Sequence, residues 1–423
     1  MTDDPVVIRH RDLEQIAMTT LEVGRRLSET GAKTSVITVG IKKIAEGLGA
    51  ERVYTRVGYA SLAVTVSHGA NTITRMIEVG PHGVNMRLNQ RLRQLCIRVE
   101  KGGMSVEDVR AELKRLNETT PHHPRALIAI SAGIACAAFG RLLGVDWAAI
   151  LPILVASTIG QWIRVSLIRR GTNAFVLTAI VAFIAAGLAG VAADLAGSQM
   201  VQMAMTSAVL MLVPGVPAMN AQTDIMEGYP TMGSARFVSV GMILMFITVG
   251  IGAAQMLVPG IVDGVAGPGR GLVHQAVFGA VAAAGFGVLF NFSPRKLAWA
   301  AVSGALALAV RSAGLGLGWN LEASSFVAAA TVALAVELPR AGRYRIRRPR
   351  SVVAIAGCIP MIPGGAATSA IIGLLELTAQ HPVDAAASLQ VAVSSGLRVV
   401  FTIGAIGAGL TMVRSLMPHS EFP

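Results

Sequence analysis

Residues 211–222 read MLVPGVPAMNAQ, with Pro214 and Pro217 three apart around Gly215 and with Asn220 close behind. Proline lacks a backbone donor and its ring clashes with the preceding turn, so it kinks or breaks a helix. The device recurs in CIPMIPGGAATS, residues 358–369, where Pro360 and Pro363 are three apart and Gly364 and Gly365 follow. A helix broken within an apolar stretch leaves backbone groups unpaired, at several kcal/mol each unless something satisfies them. A polar solute supplies that. The positive end of a half-helix suits a carboxylate, and freed carbonyls suit an ammonium or hydroxyl. The expected solute site therefore takes Pro214, Gly215, Pro217, Asn220 and Asp224 from the first stretch, and Pro363, Gly364, Gly365, Thr368 and Ser369 from the second. The competing reading is a kink that only shapes packing, since proline is commoner in membrane helices than in soluble ones. Two such stretches favour the site.

Charged residues inside apolar segments extend the set. Arg398 sits mid-helix in VSSGLRVVFTIG and is a candidate for a carboxylate or its partner. Asp224, Glu227 and Glu376 are the proton-coupling candidates, because charge at membrane depth is costly. For the two glutamates the plainer alternative is a helix end near the interface. Arg164 and Arg311 either guide an anion or snorkel. Gln161 and Asn173 read as helix–helix hydrogen bonds.

Other chemistries find little support. Cys96, Cys136 and Cys358 are isolated, without metal spacing, and read as buried thiols. ETGAKTS, residues 29–35, ends like a phosphate loop but lacks the G-x-x-x-x-G-K frame. No G-x-S-x-G elbow occurs. His68 and His82 lie in turn-like sequence, and His122 and His123 in a linker. No metal, no cofactor, no ATP-driven step and no enzyme activity are expected.

The elements that must position these residues follow from composition. Only 14% of the 423 residues are charged, against about 25% in soluble proteins. Residues 1–125 hold 19 of the 36 Lys+Arg and 14 of the 24 Asp+Glu. They read as a soluble α+β domain. DLEQIAMTTLEVGRRL and SVITVGIKKIAEGLG have helical spacing, and Gly31 and Gly49 are stops or turns. Residues 51–80 read as two or three strands with HGAN as a hairpin turn. A basic amphipathic helix follows, then a short helix capped by Ser105 with Asp108 three residues on. No signal peptide is visible.

From Ala126 the chain turns apolar. A membrane helix needs about 20 such residues, and ten segments qualify: 126–143, 146–168, 173–196, 200–227, 233–258, 272–292, 295–315, 320–338, 351–378 and 385–414. With the N-terminal domain cytoplasmic, Arg169, Arg170, Arg236, Arg295, Lys296, the block RAGRYRIRRPR and Arg414 fall inside, and Arg270 nearly alone falls outside. That places both termini in the cytoplasm of a multi-pass inner-membrane protein. It also explains the net charge of +12 without a nucleic-acid partner. Residues 139–164 and 286–311 both start with Phe-Gly and end with Arg. LVPGVPAMNAQTDIME (212–227) and MIPGGAATSAIIGLLE (361–376) align Pro214 with Pro363, Gly215 with Gly364 and Glu227 with Glu376. The membrane part is thus expected to be two five-helix repeats, 126–260 and 271–416. Five is odd, so one copy is inverted, and the paired broken helices mark the site.

Three blocks of the N-terminal half carry a resemblance: LEVGRRLSETGAKTSVI with IKKIAEGLG, ITRMIEVGPHGVNMRLNQRLRQL, and LVPGVPAMNAQTDIMEGYP. GFGVLFNFSPRKLAWAAVSGALALAVR and GCIPMIPGGAATSAIIGLLEL continue it. Together they resemble the threonine/serine exporter family (ThrE) over about residues 10–415, with two halves that are separate proteins in some relatives fused here. The resemblance implies ten transmembrane helices, a cytoplasmic N-terminal domain, and export of L-threonine and L-serine driven by the proton motive force, by antiport. Split-subunit relatives are linked with succinate export, so a dicarboxylate exporter is the alternative. The expected partners are the solute, protons and membrane lipids; a homo-oligomer is left open. A channel shares much of this architecture.

Overall fold

A computed structural model describes residues 9–258, 271–337, 352–377 and 385–416. The chain divides into two compact units. One takes the chain up to His122 together with Val216–Phe237, and the other takes His123–Gly215 and the chain from Val238.

In the first unit, α1 (His10–Glu29) and α2 (Thr34–Gly47) precede an antiparallel sheet, β1 (Arg52–Val57), β2 (Ser61–His68) and β3 (Asn71–Glu78), in the order β1-β2-β3. The predicted HGAN hairpin turn is there, with His68 opposite Asn71. Gly31 and Gly49 end their helices at φ +88° and +102°, a left-handed region that favours glycine. The central strand alternates, so Leu62, Val64 and Val66 are buried in one core with Leu13, Leu21, Leu27, Ile37, Ile41 and Ile44 of the two helices. Each such side chain contributes about 1.5–3 kcal/mol by leaving water. Helix α3 (Met86–Glu100) adds Leu92, Leu95, Cys96 and Val99 to that core. Helix α4 (Val106–Thr119) starts with the capping box read from Ser105 and Asp108. Burial pushes the Cys96 thiol up to about 12, so it is inert at neutral pH.

The second unit is helical. It contains α5 (Arg125–Leu143), α6 (Ile150–Arg169), α7 (Ala174–Leu195) and α8 (Val201–Ala208). Helices α9 (Gly215–Met226) and α10 (Pro230–Gln255) straddle the two units. Then come α11 (Leu272–Leu289), α12 (Pro294–Gly316), α13 (Leu321–Glu337), α14 (Val352–Cys358), α15 (Gly364–Glu376) and α16 (Ala385–Leu416). Each predicted apolar segment is helical. Among the described residues, however, seven helices are long and apolar enough to cross a membrane, or eight if α8 and α9 count as one span. Ten is therefore more than length and composition support. The shortfall lies in α13, which is short, and in α14–α15, which a break divides. Arg270 and the RAGRYRIRRPR block lie outside the described residues, as does the side chain of Arg414.

Small residues hold these helices together. A methyl on Gly279 of α11 would lie 2.8 Å from the Gly304 carbonyl of α12, and one on Gly304 would lie 2.5 Å from the Gly279 carbonyl. Gly285 of α11 meets the Ser131 carbonyl and Ala135 of α5 just as closely. The large side chains face outward: α5 exposes Leu127, Ile130 and Ile134 while burying Ala129, Ala132 and Cys136. Lipid is as apolar as leucine, so close backbone contact between small residues drives such packing.

Candidate functional site at two helix breaks

Both proline stretches are broken, and in the same way. After α8 a single 3₁₀ turn spans Leu210–Leu212, Val213 is extended at φ −63°, ψ 122°, and α9 starts at Gly215. After α14 the 3₁₀ turn spans Ile359–Met361, Ile362 is extended at φ −65°, ψ 125°, and α15 starts at Gly364. A residue before proline is pushed out of the helical region, which is why Val213 and Ile362 end their turns. Pro214 and Pro363 each sit at the centre of a tight turn. The Gly215 N–H donates to the Val213 carbonyl (2.9 Å), and the Gly364 N–H to the Ile362 carbonyl (2.8 Å). The other two prolines are not equivalent. Pro217 lies in the first turn of α9, where a missing N–H costs little, and Pro360 lies within the second 3₁₀ turn.

The two breaks touch reciprocally. A methyl on Gly215 would lie 3.0 Å from Ile362 Cδ1 and 3.8 Å from Ile359 Cγ2. A methyl on Gly364 would lie 3.0 Å from Leu210 Cδ2 and 3.5 Å from Val213 Cγ2. Each glycine thus faces the matching two residues of the other break. Gly365 lies against Leu143 of α5. Arg311 of α12 donates from Nη1 to the Met361 carbonyl at 3.2 Å, so one carbonyl loosened by the second break is held by a guanidinium. In the first half, Ser157 of α6 donates to the Ala208 carbonyl at 3.0 Å, at the end of α8.

Ser369 of α15 and Arg398 of α16 are exposed, and Arg398 makes no ion pair among the described residues. The side chains of Thr368 and Glu376 lie outside the described ones. Asn220, Asp224 and Glu227 belong to the other unit, where with Arg236 they grip five consecutive residues, Gly31 to Ser35, at the turn into α2. Asn220 Nδ2 donates to the Gly31 carbonyl (3.1 Å), and Arg236 Nη2 donates to the Ala32 carbonyl (2.9 Å). Asp224, fully buried, accepts the Thr34 N–H (2.8 Å) and Arg236 Nη1 (2.7 Å). Glu227 accepts from the Lys33 ammonium and from Ser35 Oγ (2.7 Å). Helix α2 has no side-chain cap of its own at Lys33, and Asp224 supplies it from a distant segment. Sequence reading missed this cluster. It took Arg236 as a loop charge and GAKTS as an incomplete phosphate loop; the signal available was three polar residues spaced four and three apart, Asn220, Asp224 and Glu227, and complementary groups in GAKTS. Among the described residues no group of His, Cys, Asp and Glu is placed to hold a metal.

Apolar, small-residue-packed helices with two facing breaks define a multi-pass membrane protein. Comparison with known families specifies it. A model described as "Putative threonine/serine exporter" matches residues 18–258, and one described as "Threonine/Serine exporter, ThrE" matches residues 275–416. The chain belongs to the threonine/serine exporter family, with both halves in one polypeptide. It is also similar to the "Probable succinate transporter subunit YjjP" of Klebsiella aerogenes, 26% identical over 248 residues that cover 58% of this chain and 95% of that protein. The protein of the same name from Escherichia coli K12 is 26% identical over 242 residues, 56% of this chain and 93% of its own. No solved structure matches.

Proposed function

We propose that the chain is a secondary transporter, not an enzyme, that exports L-threonine and L-serine across the inner membrane, coupled by antiport to the proton motive force. Its solute binds where the two breaks meet, near the bilayer midplane. The observation that carries this reading is the reciprocal contact of Gly215 with Ile359 and Ile362, and of Gly364 with Leu210 and Val213. Such exchange of equivalent contacts is what a pseudo-two-fold axis between inverted repeats produces. Two repeats of five spans, 126–260 and 271–416, behind a cytoplasmic domain of residues 1–125, complete the proposed architecture. Pro214, Gly215, Pro363, Gly364 and Gly365 shape the site; Thr368, Ser369 and Arg398 are its further candidates. Asp224, Glu227 and Glu376 are the proton-coupling candidates.

A second reading, export of a dicarboxylate such as succinate, is favoured by the name of the relatives in Klebsiella and Escherichia. Counterflow in proteoliposomes separates the two. Labelled threonine outside, with unlabelled threonine or serine inside, is expected to accumulate transiently. Stimulation by internal succinate only, confirmed with labelled succinate outside, establishes the second reading instead. Downhill flux without stimulation from the far side marks a channel.

A further inference from the structure

Arg311 and Arg164 end the two matched stretches of sequence, yet among the described residues only one of them is occupied. Arg311 holds the Met361 carbonyl. Arg164 of α6 makes no hydrogen bond or ion pair among the described residues, and its side chain is only partly exposed. One turn earlier on the same face is Gln161, 5% exposed, whose Oε1 has no hydrogen-bond partner among the described residues. Positions 157, 160, 161 and 164 share one face of a helix by their spacing. That face lies on the first break. Ser157 bonds the Ala208 carbonyl, and a methyl on Gly160 would meet Met211 Cε at 2.7 Å. Both contacts pair residues 51 apart in parallel segments. From Gly160 to Arg164 the helix climbs ~6 Å. Arg164 therefore lies one turn beyond the contact of Gly160 with Met211, on the same face of α6.

We propose that Arg164 and Gln161 form the polar half of the solute site, Arg164 binding the solute carboxylate and Gln161 Oε1 accepting from its ammonium or hydroxyl. This rests on the transport reading above and deepens it. A guanidinium within an apolar helix is costly even where insertion is tolerated, and a buried amide oxygen without a donor adds to that cost. Snorkelling accounts for an arginine near a helix end. It does not account for the buried, donor-less glutamine one turn deeper. A carboxylate with a neighbouring donor satisfies both at once, in the bidentate geometry that guanidinium favours. The assignment also explains why the two halves differ: in one the arginine closes its own break, and in the other it is left for the ligand.

The test is counterflow with labelled threonine and, separately, labelled succinate, comparing wild type, Arg164→Gln, Arg164→Lys and Arg311→Gln, with protein in the vesicles quantified. Arg164→Gln is expected to raise the half-saturating concentration of the carried solute ~10- to 100-fold, the loss of one charged hydrogen bond. Arg164→Lys should recover part of it. Threoninol, which lacks the carboxylate, should compete weakly with wild type and equally weakly with Arg164→Gln. Arg311→Gln should lower the amount of folded protein or the maximal rate rather than shift half-saturation. A wild type that carries solute, beside an Arg164→Gln variant with unchanged half-saturation, overturns the site and leaves the transporter standing. A wild type that carries neither solute overturns the transport reading and the site with it. Should Arg164→Gln fail to reach the membrane, Gln161→Leu replaces it: weaker threonine uptake supports the site, and unaltered half-saturation overturns it.

Discussion

Asp224 illustrates how much one side chain depends on its surroundings. As a charge within an apolar segment it reads as a coupling residue. In the folded chain it is fully buried, neutralised by Arg236 at 2.7 Å, and caps α2 through the Thr34 N–H. Removing one member of a buried pair strands the other, at about 3–5 kcal/mol, whereas replacing both costs less than the sum. Arg236→Gln is therefore expected to lower thermal stability sharply, and Arg236→Gln with Asp224→Asn to lower it less than additively. A double-mutant cycle by thermal unfolding in detergent checks this. Additive losses would mean that the two groups do not act as a pair.

Elements impose their own tests. Gly47, the last residue of α2, lies so close to the Val99 carbonyl of α3 that a side-chain carbon there meets backbone, which has no rotamer to yield. A methyl on Gly24 of α1 would meet side chains instead, Ile41 Cδ1 at 2.7 Å and Leu62 Cδ1 at 3.4 Å. Gly47→Ala should cost about 1–3 kcal/mol, and Gly24→Ala clearly less, by melting temperature. At the breaks, Pro214→Ala and Pro363→Ala restore an N–H and lift the restraint on Val213 and Ile362, which lets the helices run on. Each variant should lose transport in counterflow while retaining its amount in the membrane. Loss of protein instead would make the breaks structural. Helical periods, the hairpin and the Ser105 cap were legible in the sequence because they depend on neighbours three or four residues away. The reach of Asp224 to Thr34 was not, because 190 residues separate the partners.

At the scale of the molecule, the unit built on the N-terminal region also contains Val216–Phe237, although hydropathy assigns that segment to the membrane part. Polar side chains on one short stretch, complementary to the turn between α1 and α2, account for the inclusion. The membrane-spanning character follows from the apolar helices, but their orientation depends on flanking charge. A reporter fused at the C-terminus should read cytoplasmic; a periplasmic signal would overturn the ten-span plan and the inversion of its repeats.

By itself the sequence determined what is local or compositional: an α+β region followed by apolar helices, two proline breaks at matched positions, buried lone thiols, and the family to which the blocks belong. These follow from residue periods, from proline's fixed backbone and from the charge deficit. Tertiary structure decided which of the four prolines form the breaks, that the breaks face each other through Gly215 and Gly364, and that among the described residues Arg311 is occupied while Arg164 is not. It also decided that Asp224 and Glu227 are ion-paired and that Asp224 caps a helix. The physical reason is common to all of these. A partner supplied from a distant segment leaves no periodic trace in the chain, and a charge acquires its role only from what folding places beside it.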